Sequence, residues 1–448
     1  MPERLIVVGG DAAGMSAASQ ARRRRDAGDL EIIVFEQSDW VSYSACGEPY
    51  YLSGAVPELR QLVARTPEQF WAQSIDARLR HRVTSIDTNT RTVEVEHPQG
   101  TASFGYDQLV YATGAAPITP EVEGVDADGV FALKTLDDAE TIKKAMTGAR
   151  HGIVIGGGYI GLEVAEAFRV QGLETTLITS GGGVMNRTLD SDMADLATEQ
   201  IRRTGLRVIT DSRIRDIATE DGRATGVDCD TFFPGEVIVI GLGTKPEVAL
   251  AEAAGIPLGQ TGAVAVDERQ RTAIPGVWAA GDCAEALHRV SGRPANVHLG
   301  TVANKQGRVA GINLGGDDAT FPGILGTAIT KFMDVEIART GLTEAEAGAA
   351  GLDVAAATTS STTTAGYWPT AAKMWLKVVA ERGTGRLLGA QIVGGPGAGK
   401  RIDVLATGIW NEMDGHSFSM MDLSYAPPFS GVWDPALIAA RKAADAAT

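Results

Sequence analysis

The chain has 448 residues, of which 44% are hydrophobic, so it can bury several cores and divides into about three domains at roughly 150 residues each. Its formal net charge of −16 argues against binding to nucleic acid or to an anionic membrane surface. The chain has only three cysteines and no basic stretch that leads into an apolar segment. We therefore expect a cytoplasmic protein with no disulfide framework, secretory signal, membrane span or metal site.

The first predicted unit is a strand, a glycine-rich turn and a helix. Residues 5–8 form an apolar strand, Gly9 and Gly14 flank the turn, and the following strand ends at Glu36. Glycines let the backbone approach a pyrophosphate at a helix N-terminus, and the terminal acid accepts hydrogen bonds from ribose. The unit predicts a dinucleotide site, although Asp11 occupies the position of the second glycine.

A lone cysteine, Cys46, follows this unit within residues 43–51. Pro49 and the apolar residues after it predict that a helix starts here. Because a helix N-terminus stabilises negative charge, we expect the Cys46 thiol to ionise easily and to act as a nucleophile. The alternative is a buried structural cysteine.

Two polar runs are expected at the surface. The four arginines at 22–25 end a helix, where they form either a solvated face or an anion site for a phosphorylated substrate. The Ser/Thr run at 358–364 is expected to be a solvated loop.

Two further turns suit a nucleotide. The strand at 106–111 runs into Thr113 and Gly114, a turn that lets backbone lie against a nucleotide. A later strand ends in Gly281 and Asp282, where we expect a helix to follow directly and the carboxylate to lie near a polyol chain.

Residues 152–163 fit the pattern G-x-G-x-x-G without exception and begin a second dinucleotide unit. The next strand ends at Thr179 and Ser180 in place of an acid, and a glycine turn with Gly243 closes the unit. An acid at the strand end favours an unphosphorylated ribose. Its absence favours NADPH over NADH, unless an acid comes from elsewhere or the selectivity is loose.

These motifs together resemble the FAD-dependent pyridine nucleotide-disulfide oxidoreductases, in the single-cysteine branch of coenzyme A-disulfide reductases, NADH oxidases and NADH peroxidases. The markers, which span essentially the whole chain, are residues 42–51, 112–115, 281–283, 303–308 and 425–428. The resemblance implies an α/β fold with two Rossmann-like domains and a C-terminal α+β dimerisation domain. The implied domains are FAD-binding at 1–116 and 250–322, NAD(P)H-binding at 117–249, and dimerisation at 323–448.

The resemblance also assigns roles to single residues. FAD would be contacted by Gly9, Gly14, Glu36, Thr113, Gly114, Asp282 and Ala303. The nicotinamide nucleotide would be contacted by Gly156, Gly158, Tyr159, Gly161, Glu163, Thr179 and Gly243. The substrate would be bound by Gln20, Arg23 and Ser42, and the catalytic residues would be Cys46, Tyr425 and Tyr367. Tyr425 would reach the site from the other subunit of a homodimer and protonate the leaving thiolate.

Details within the branch favour one chemistry. Tyr51 stands five residues after Cys46, where two-cysteine reductases carry their second cysteine, so Cys46 would cycle through a mixed disulfide or a sulfenic acid. The oxidases and peroxidases carry a histidine at the position of Ala12. The resemblance therefore implies an NAD(P)H-dependent reductase of a low-molecular-weight disulfide such as coenzyme A disulfide. An NAD(P)H oxidase, a peroxidase, a polysulfide reductase and a flavoprotein redox sensor remain as alternatives.

Three residues depart from the family pattern. Ala45 replaces an asparagine, and His298 stands where proline is common. Glu48 lies two residues after the thiol, where an apolar residue is usual. A carboxylate at that position opposes thiolate formation and disfavours an anionic substrate.

Overall fold

The first part of the chain forms a parallel sheet with a small antiparallel sheet beside it. The structure is a computed structural model that describes residues 2–448. Its first elements are β1 (Glu3–Val8), α1 (Ala12–Arg22), β2 (Leu30–Phe35), α2 (Glu48–Ser53), α3 (Pro67–Trp71), β3 (Ile75–Arg78), β4 (Arg82–Asp87), β5 (Thr92–His97), β6 (Gly100–Gly105), β7 (Gln108–Tyr111) and β8 (Ala115–Pro117). β1 pairs in parallel with β2 and β7, and β4, β5 and β6 pair antiparallel. The helix predicted after Cys46 is confirmed, with Pro49 in its first turn.

The second part repeats the parallel arrangement. Its elements are β9 (Val130–Ala132), α4 (Leu136–Met146), β10 (His151–Ile155), α5 (Tyr159–Val170), β11 (Glu174–Ile178), α6 (Ser191–Arg203), β12 (Arg207–Ile209), β13 (Asp216–Glu220), β14 (Arg223–Asp228), β15 (Phe232–Pro234), β16 (Val237–Ile240) and β17 (Thr244–Pro246). The parallel sheet has the order β12-β11-β10-β16-β9. β17 pairs antiparallel with β8, so the chain enters and leaves this unit through adjacent strands.

The third part completes the first sheet. Its elements are α7 (Ala249–Ala253), β18 (Val277–Ala279), β19 (Ala286–His288), β20 (Arg293–Ala295) and α8 (Gly300–Leu314). β18 pairs in parallel with β7, which gives the order β18-β7-β1-β2-β3. The prediction that a helix follows Asp282 directly is wrong, because a β19–β20 hairpin comes first. The Asn296 side chain holds this turn by donating hydrogen bonds to the carbonyl oxygens of Asp282 and Ala284 at 2.9 and 3.0 Å.

The C-terminal part is an antiparallel sheet that helices cover on one face. Its elements are β21 (Ala328–Phe332), β22 (Val335–Gly341), α9 (Glu344–Ala349), β23 (Val354–Thr362), β24 (Lys373–Glu381), β25 (Leu387–Gly394), α10 (Ile402–Trp410), α11 (Gly415–Ser419) and α12 (Pro435–Ala447). The sheet order is β21-β22-β25-β24-β23. The prediction of a loop at 358–364 is wrong for residues 358–362, which form the end of the edge strand β23. β-branched threonine fits such a half-covered strand despite its polarity.

The predicted α/β class, with two doubly wound units and a C-terminal α+β unit, is confirmed. None of the helices in residues 2–448 combines the length and apolarity that crossing a membrane requires. Within the same residues, no group of three or more His, Cys, Asp or Glu side chains is placed to hold a metal ion. The exact domain boundaries stay a prediction.

Candidate active site

The first glycine turn lies at the carboxyl edge of the first sheet, between β1 and α1. Gly9 has a φ of +107°, and a Cβ there would lie 2.1 Å from the carbonyl oxygen of Ala112. A Cβ at Gly14 would lie 2.0 Å from the carbonyl oxygen of Gly9. Both positions therefore require glycine. Glu36 is fixed beside the turn because its carboxylate accepts a 2.8 Å hydrogen bond from the N–H group of Gly10.

The segment that carries the cysteine is fastened to this turn. The N–H group of Ser42 donates to the carbonyl oxygen of Gly10 at 2.9 Å, and Ser42 adopts a positive φ of +50°. The N–H group of Tyr43 donates to the Asp11 carboxylate at 3.1 Å. Burial raises the pKa of Asp11 to about 6. The glycine turn and the cysteine segment thus form one continuous wall of a cleft.

Other predicted FAD contacts lie close to the first glycine turn. The Thr113 hydroxyl donates to the carbonyl oxygen of Glu247 at 2.7 Å. Gly114 has a φ of +74°, and no atom lies within 4 Å of the place that a Cβ would take. Ala303 is buried on α8 in a small cluster with Ala13. The open space at Gly114, beside a closely packed glycine turn, suits a bound dinucleotide.

The cleft also contains a lysine that the sequence analysis missed. Lys134 lies directly before α4, and its Nζ atom is 3.7 Å from Oδ2 of Asp282. Its positive charge lowers the pKa values of Asp11 and Glu48, which burial raises. Lys134 comes from the second unit and belongs to no motif. Only its place before a capped helix could have drawn attention to it.

Cys46 lies in a 3₁₀ turn, Ala45–Gly47, that leads into α2, and it is exposed. Desolvation by the surrounding protein raises the pKa of its thiol, and the carboxyl groups of Glu163, Glu48 and Asp282 raise it further. The expectation of an easily ionised thiol is therefore wrong for this chain. Its charged neighbours here are acids, and α2 has only six residues, so few peptide dipoles align on the thiol.

Helix α2 is fastened to the second unit at its far end. Nζ of Lys143 donates to the carbonyl oxygen of Tyr51 at 2.7 Å and lies 3.7 Å from the centre of the Tyr51 ring. The Gln171 side chain donates to the carbonyl oxygen of Ser53 at 2.5 Å. Tyr51, at the position where two-cysteine reductases carry their second cysteine, thus anchors α2 to the second unit.

The second glycine turn repeats the geometry of the first. Gly156 has a φ of +114°, and a Cβ there would lie 2.3 Å from the carbonyl oxygen of Gly241. A Cβ at Gly161 would lie 1.9 Å from the carbonyl oxygen of Gly156. Gly158 and Gly243 instead face open space. The turn therefore forms a cradle in which backbone N–H groups are free to approach a diphosphate.

The end of β11 contains an unexpected acidic neighbour. Thr179 is buried, and its carbonyl oxygen accepts a 3.1 Å hydrogen bond from the N–H group of Ser212. Asp211, which follows β12, donates from its N–H group to the carbonyl oxygen of Gly181 at 3.0 Å. Asp211 is therefore a specific candidate for the acid from elsewhere in the chain, the alternative that the sequence left open. Arg187 is exposed on the next loop.

Two residues on α5 face the C-terminal sheet. The Glu163 carboxyl accepts a 3.1 Å hydrogen bond from the Thr330 hydroxyl, and burial raises its pKa to about 7. Burial also raises the pKa of Tyr159 to about 12, although the positive charge of Arg339 opposes this shift. Glu163 acts electrostatically on Cys46, so the second unit contributes to the environment of the thiol.

His298, the departure before α8, is held in place by its neighbours. One ring nitrogen is hydrogen-bonded to the Thr244 hydroxyl and the other to the Asn296 amide oxygen. Burial lowers its pKa, so the ring is neutral at physiological pH. A fixed, neutral histidine does not replace the mobile acid–base group that is absent at Ala12.

The arginine run is mostly committed to structure. Three of its members hydrogen-bond within the chain, whereas Arg23 is exposed and makes no ion pair with a described residue. Gln20 is 7% exposed, and its amide oxygen accepts a 2.8 Å hydrogen bond from Arg24. Gln20 is therefore committed to the fold, whereas Arg23 is free to bind an anion without rearrangement.

The two predicted catalytic tyrosines lie on a separate aromatic surface. This aromatic surface consists of Tyr367, Trp368, Tyr425, Phe429 and Trp433. Tyr367 is 76% exposed and Tyr425 is 48% exposed. A hydrogen bond from the Ala365 N–H group to the carbonyl oxygen of Pro427 joins their loops at 3.0 Å. Neither hydroxyl has a hydrogen-bond partner among residues 2–448, so both remain available to another chain.

Comparison with known proteins places these features in a family. The model of the "pyridine nucleotide-disulphide oxidoreductase" family matches residues 3–307, and the model of its dimerisation domain matches residues 327–437. A relative from Pyrococcus horikoshii, named NAD(P)H coenzyme A polysulfide/persulfide reductase, is 38% identical over 98% of both chains. A coenzyme A disulfide reductase from Staphylococcus haemolyticus is 31% identical over 95% of this chain and 96% of its own. The solved structure of a NAD-dependent persulfide reductase from A. fulgidus superposes with a TM-score of 0.94 at 39% identity, over 98% of this chain and 83% of that one.

Proposed function

Because the chain belongs to the pyridine nucleotide-disulphide oxidoreductase family, we propose that it uses NADPH to reduce a low-molecular-weight disulfide of the coenzyme A type through Cys46. The observation that carries the proposal is the isolation of this thiol. Cys46 is the one exposed cysteine in residues 2–448, since Cys229 and Cys283 are buried, and position 51 is a tyrosine. Cys46 therefore has no accessible partner thiol within residues 2–448, and we propose that a small thiol takes that place.

The cleft fits FAD. Gly9, Gly14, Glu36, Thr113, Gly114, Asp282 and Ala303 would hold it, with the open space at Gly114 as the structural support. When bound, FAD accepts two electrons from the nicotinamide nucleotide and delivers them to sulfur. We propose that the chain divides at the boundaries predicted from the sequence, 1–116 with 250–322, 117–249 and 323–448.

The residues of the chain would act on sulfur in two steps. The Cys46 thiolate attacks one sulfur of the substrate disulfide, and the other sulfur leaves as a thiolate. Two electrons then cleave the resulting mixed disulfide and regenerate the Cys46 thiolate with release of the second thiol. Arg23 and Ser42, with Gln20 behind them, would position the substrate. Because acids surround Cys46, protonation of Glu163 would favour the thiolate.

The tyrosines would enter from a second copy of the chain. The aromatic surface lies within the region that matches the dimerisation model, and both hydroxyls are open. We propose a homodimer in which Tyr425, with Tyr367 beside it, donates a proton to the leaving thiolate. The phenol group is suited to this role because its O–H group donates one hydrogen bond.

The nucleotide preference has arguments on both sides. Thr179 and Ser180 at the strand end favour NADPH, because no carboxylate stands there to repel a 2′-phosphate. Asp211 beside Gly181 favours NADH, as does the A. fulgidus structure, which is named NAD-dependent. We propose NADPH as the better substrate and NADH as a usable one.

The cytoplasmic location expected from the sequence stays a prediction.

A persulfide or polysulfide is the second candidate substrate. It is favoured by the names of the Pyrococcus horikoshii and A. fulgidus proteins, and it requires the same exposed thiol. An oxidase or peroxidase is less well supported, because Ala12 supplies no acid–base group and His298 is fixed and neutral. A redox sensor would require no turnover at all.

Initial rates of NADPH and NADH oxidation distinguish these candidates. We expect fast anaerobic oxidation that requires coenzyme A disulfide, and no such turnover by Cys46→Ser, which should retain its FAD. Cys229→Ser, at a buried thiol, is the matched control and should turn over like the parent. Turnover with polysulfide alone would support the second candidate. Turnover that needs only air, or that survives in Cys46→Ser, would contradict the proposal.

A further inference from the structure

Glu48 is less exposed than any other acidic residue that the structure describes, at 3%. It begins α2, and Pro49 fixes the backbone next to it. Its Oε1 atom is buried and has no hydrogen-bond partner within residues 2–448. A buried polar atom without a partner is destabilising and is rare in native proteins, so a bound molecule is the natural candidate for that partner.

Charged and titratable groups face Glu48 from several elements. They are Tyr43 and Cys46 before α2, Asp11 at the start of α1, and Lys134 and Asp138 at the start of α4. From α5, which also packs against α2, Glu163 faces the neighbouring side chains of Cys46 and Tyr50.

Lys134 is the one cation in this group, and it is shared with Asp282 and Asp11. Glu48 therefore lacks a counter-ion of its own, and burial raises its pKa to about 8. At neutral pH the carboxyl group keeps its proton and has an O–H group to donate.

Two departures from the family pattern meet at this place. Asp11 replaces a glycine in the turn that would hold the diphosphate of FAD, and Glu48 replaces an apolar residue. Glu48 is buried and Asp11 is half-buried, and the charge of Asp11 acts on Glu48. A negatively charged diphosphate beside two ionised acids would be strongly repelled, whereas a protonated acid attracts it by donating a hydrogen bond.

We infer that Glu48 is a neutral carboxylic acid in the FAD cleft and that its O–H group donates a hydrogen bond to the bound cofactor. Oε1 then gains the partner that the protein does not supply. The inference rests on the FAD site of the proposed function and not on its sulfur substrate. Glu48 is a cofactor-binding residue in this account and takes no proton from the substrate.

Two variants separate cofactor binding from a structural role. Glu48→Gln keeps the shape and a neutral donor, whereas Glu48→Leu removes the donor at similar volume. We expect the FAD-free full-length Leu variant to unfold at or above the temperature of the parent, because an unpartnered buried group is gone. Its dissociation constant for FAD should rise roughly tenfold, while that of the Gln variant stays within about twofold of the parent.

The pH dependence gives an independent readout. As the pH rises from about 7 to about 9, Glu48 ionises and should repel the diphosphate, so the parent should lose FAD affinity. Glu48→Gln cannot ionise, and its FAD affinity should be flatter over the same range. This comparison stands even where the Leu variant does not fold.

Titration of FAD into the apo chain, followed by flavin fluorescence, measures both effects. The inference is overturned if Glu48→Leu binds FAD as tightly as the parent, or if the affinity of Glu48→Gln falls with pH as steeply as that of the parent. A Leu variant that unfolds well below the parent would assign Glu48 a structural role instead. If the parent chain binds no FAD at any pH, the proposed function itself is wrong. This result distinguishes a failure of the proposed function from a failure of the inference about Glu48.

Discussion

The two glycine turns share a backbone geometry and differ in the side chains around them. In each turn the first glycine packs so closely on a neighbouring strand end that a Cβ would lie 2.1 to 2.3 Å from a carbonyl oxygen. At the first turn the next strand ends in Glu36, with the half-buried Asp11 and the buried Glu48 nearby. At the second turn the next strand ends in Thr179, and the loop after β12 brings Asp211 to Gly181. In the proposed function, the backbone of each turn accommodates a dinucleotide and the side chains at the strand ends select which one.

The largest expected effects come from alanine substitutions at the first glycine of each turn, and they differ between the two turns. Gly9→Ala and Gly156→Ala each force a Cβ against a carbonyl oxygen at a positive φ, a strain of roughly 1–3 kcal/mol before the clash is counted. Gly9→Ala should lose FAD almost completely. Gly156→Ala should keep FAD and raise the KM for NADPH more than about tenfold.

Flavin absorbance and initial rates measure these effects. Gly222→Ala is the matched control, because Gly222 has a φ of +80° but no atom within 4 Å of its Cβ position. Equal loss of FAD from both glycine variants would show that the turns do not serve separate nucleotides.

A smaller effect is expected at the end of β11. Thr179→Asp would restore an acid beside the ribose, so the ratio of kcat/KM for NADPH over that for NADH should fall about tenfold, or about 1.4 kcal/mol. Asp211→Asn should shift the ratio a few-fold in the opposite direction. Asp221→Asn, in a distant hairpin, should leave it unchanged. An unchanged ratio in Thr179→Asp would mean that selectivity lies elsewhere.

A local effect on stability, with no expected change in nucleotide preference, concerns helix α2. Lys143→Met removes both the hydrogen bond and the cation–π contact to Tyr51. We expect the local opening free energy of α2 to fall by roughly 1–2 kcal/mol. Amide hydrogen exchange in residues 45–54 measures this change. The control is Lys144→Met, at the neighbouring exposed lysine, which should leave amide exchange in residues 45–54 unchanged. Equal exchange rates in the two variants would show that Lys143 does not anchor α2.

Both glycine turns could be predicted from sequence because their cause is local. The close approach of Gly14 to Gly9, and of Gly161 to Gly156, depends on a short motif between a strand and a helix. The helix after Cys46 was likewise marked by Pro49. Residues whose role depends on distant partners were missed: Lys134 and Asp211 lie beside the cleft only because other elements bring them there.

The ionisation of Cys46 shows why local rules fail at such a site. The helix start predicted a low pKa, but desolvation by the surrounding protein raises it, and the charges of Glu163 and Asp282, which approach from other elements, raise it further. The Ser/Thr run at 358–364 failed for a different reason. Polarity predicted a loop, although the β-branched residues of β23 fit an edge strand.

The central claim is that Cys46 carries a small thiol as a mixed disulfide, and intact mass measured on the purified enzyme after exposure to coenzyme A disulfide tests it most directly. The account predicts one coenzyme A adduct per chain, located by peptide mapping at Cys46, absent from Cys46→Ser and released when NADPH is added. An unmodified Cys46, or an adduct that persists after NADPH is added, would contradict it.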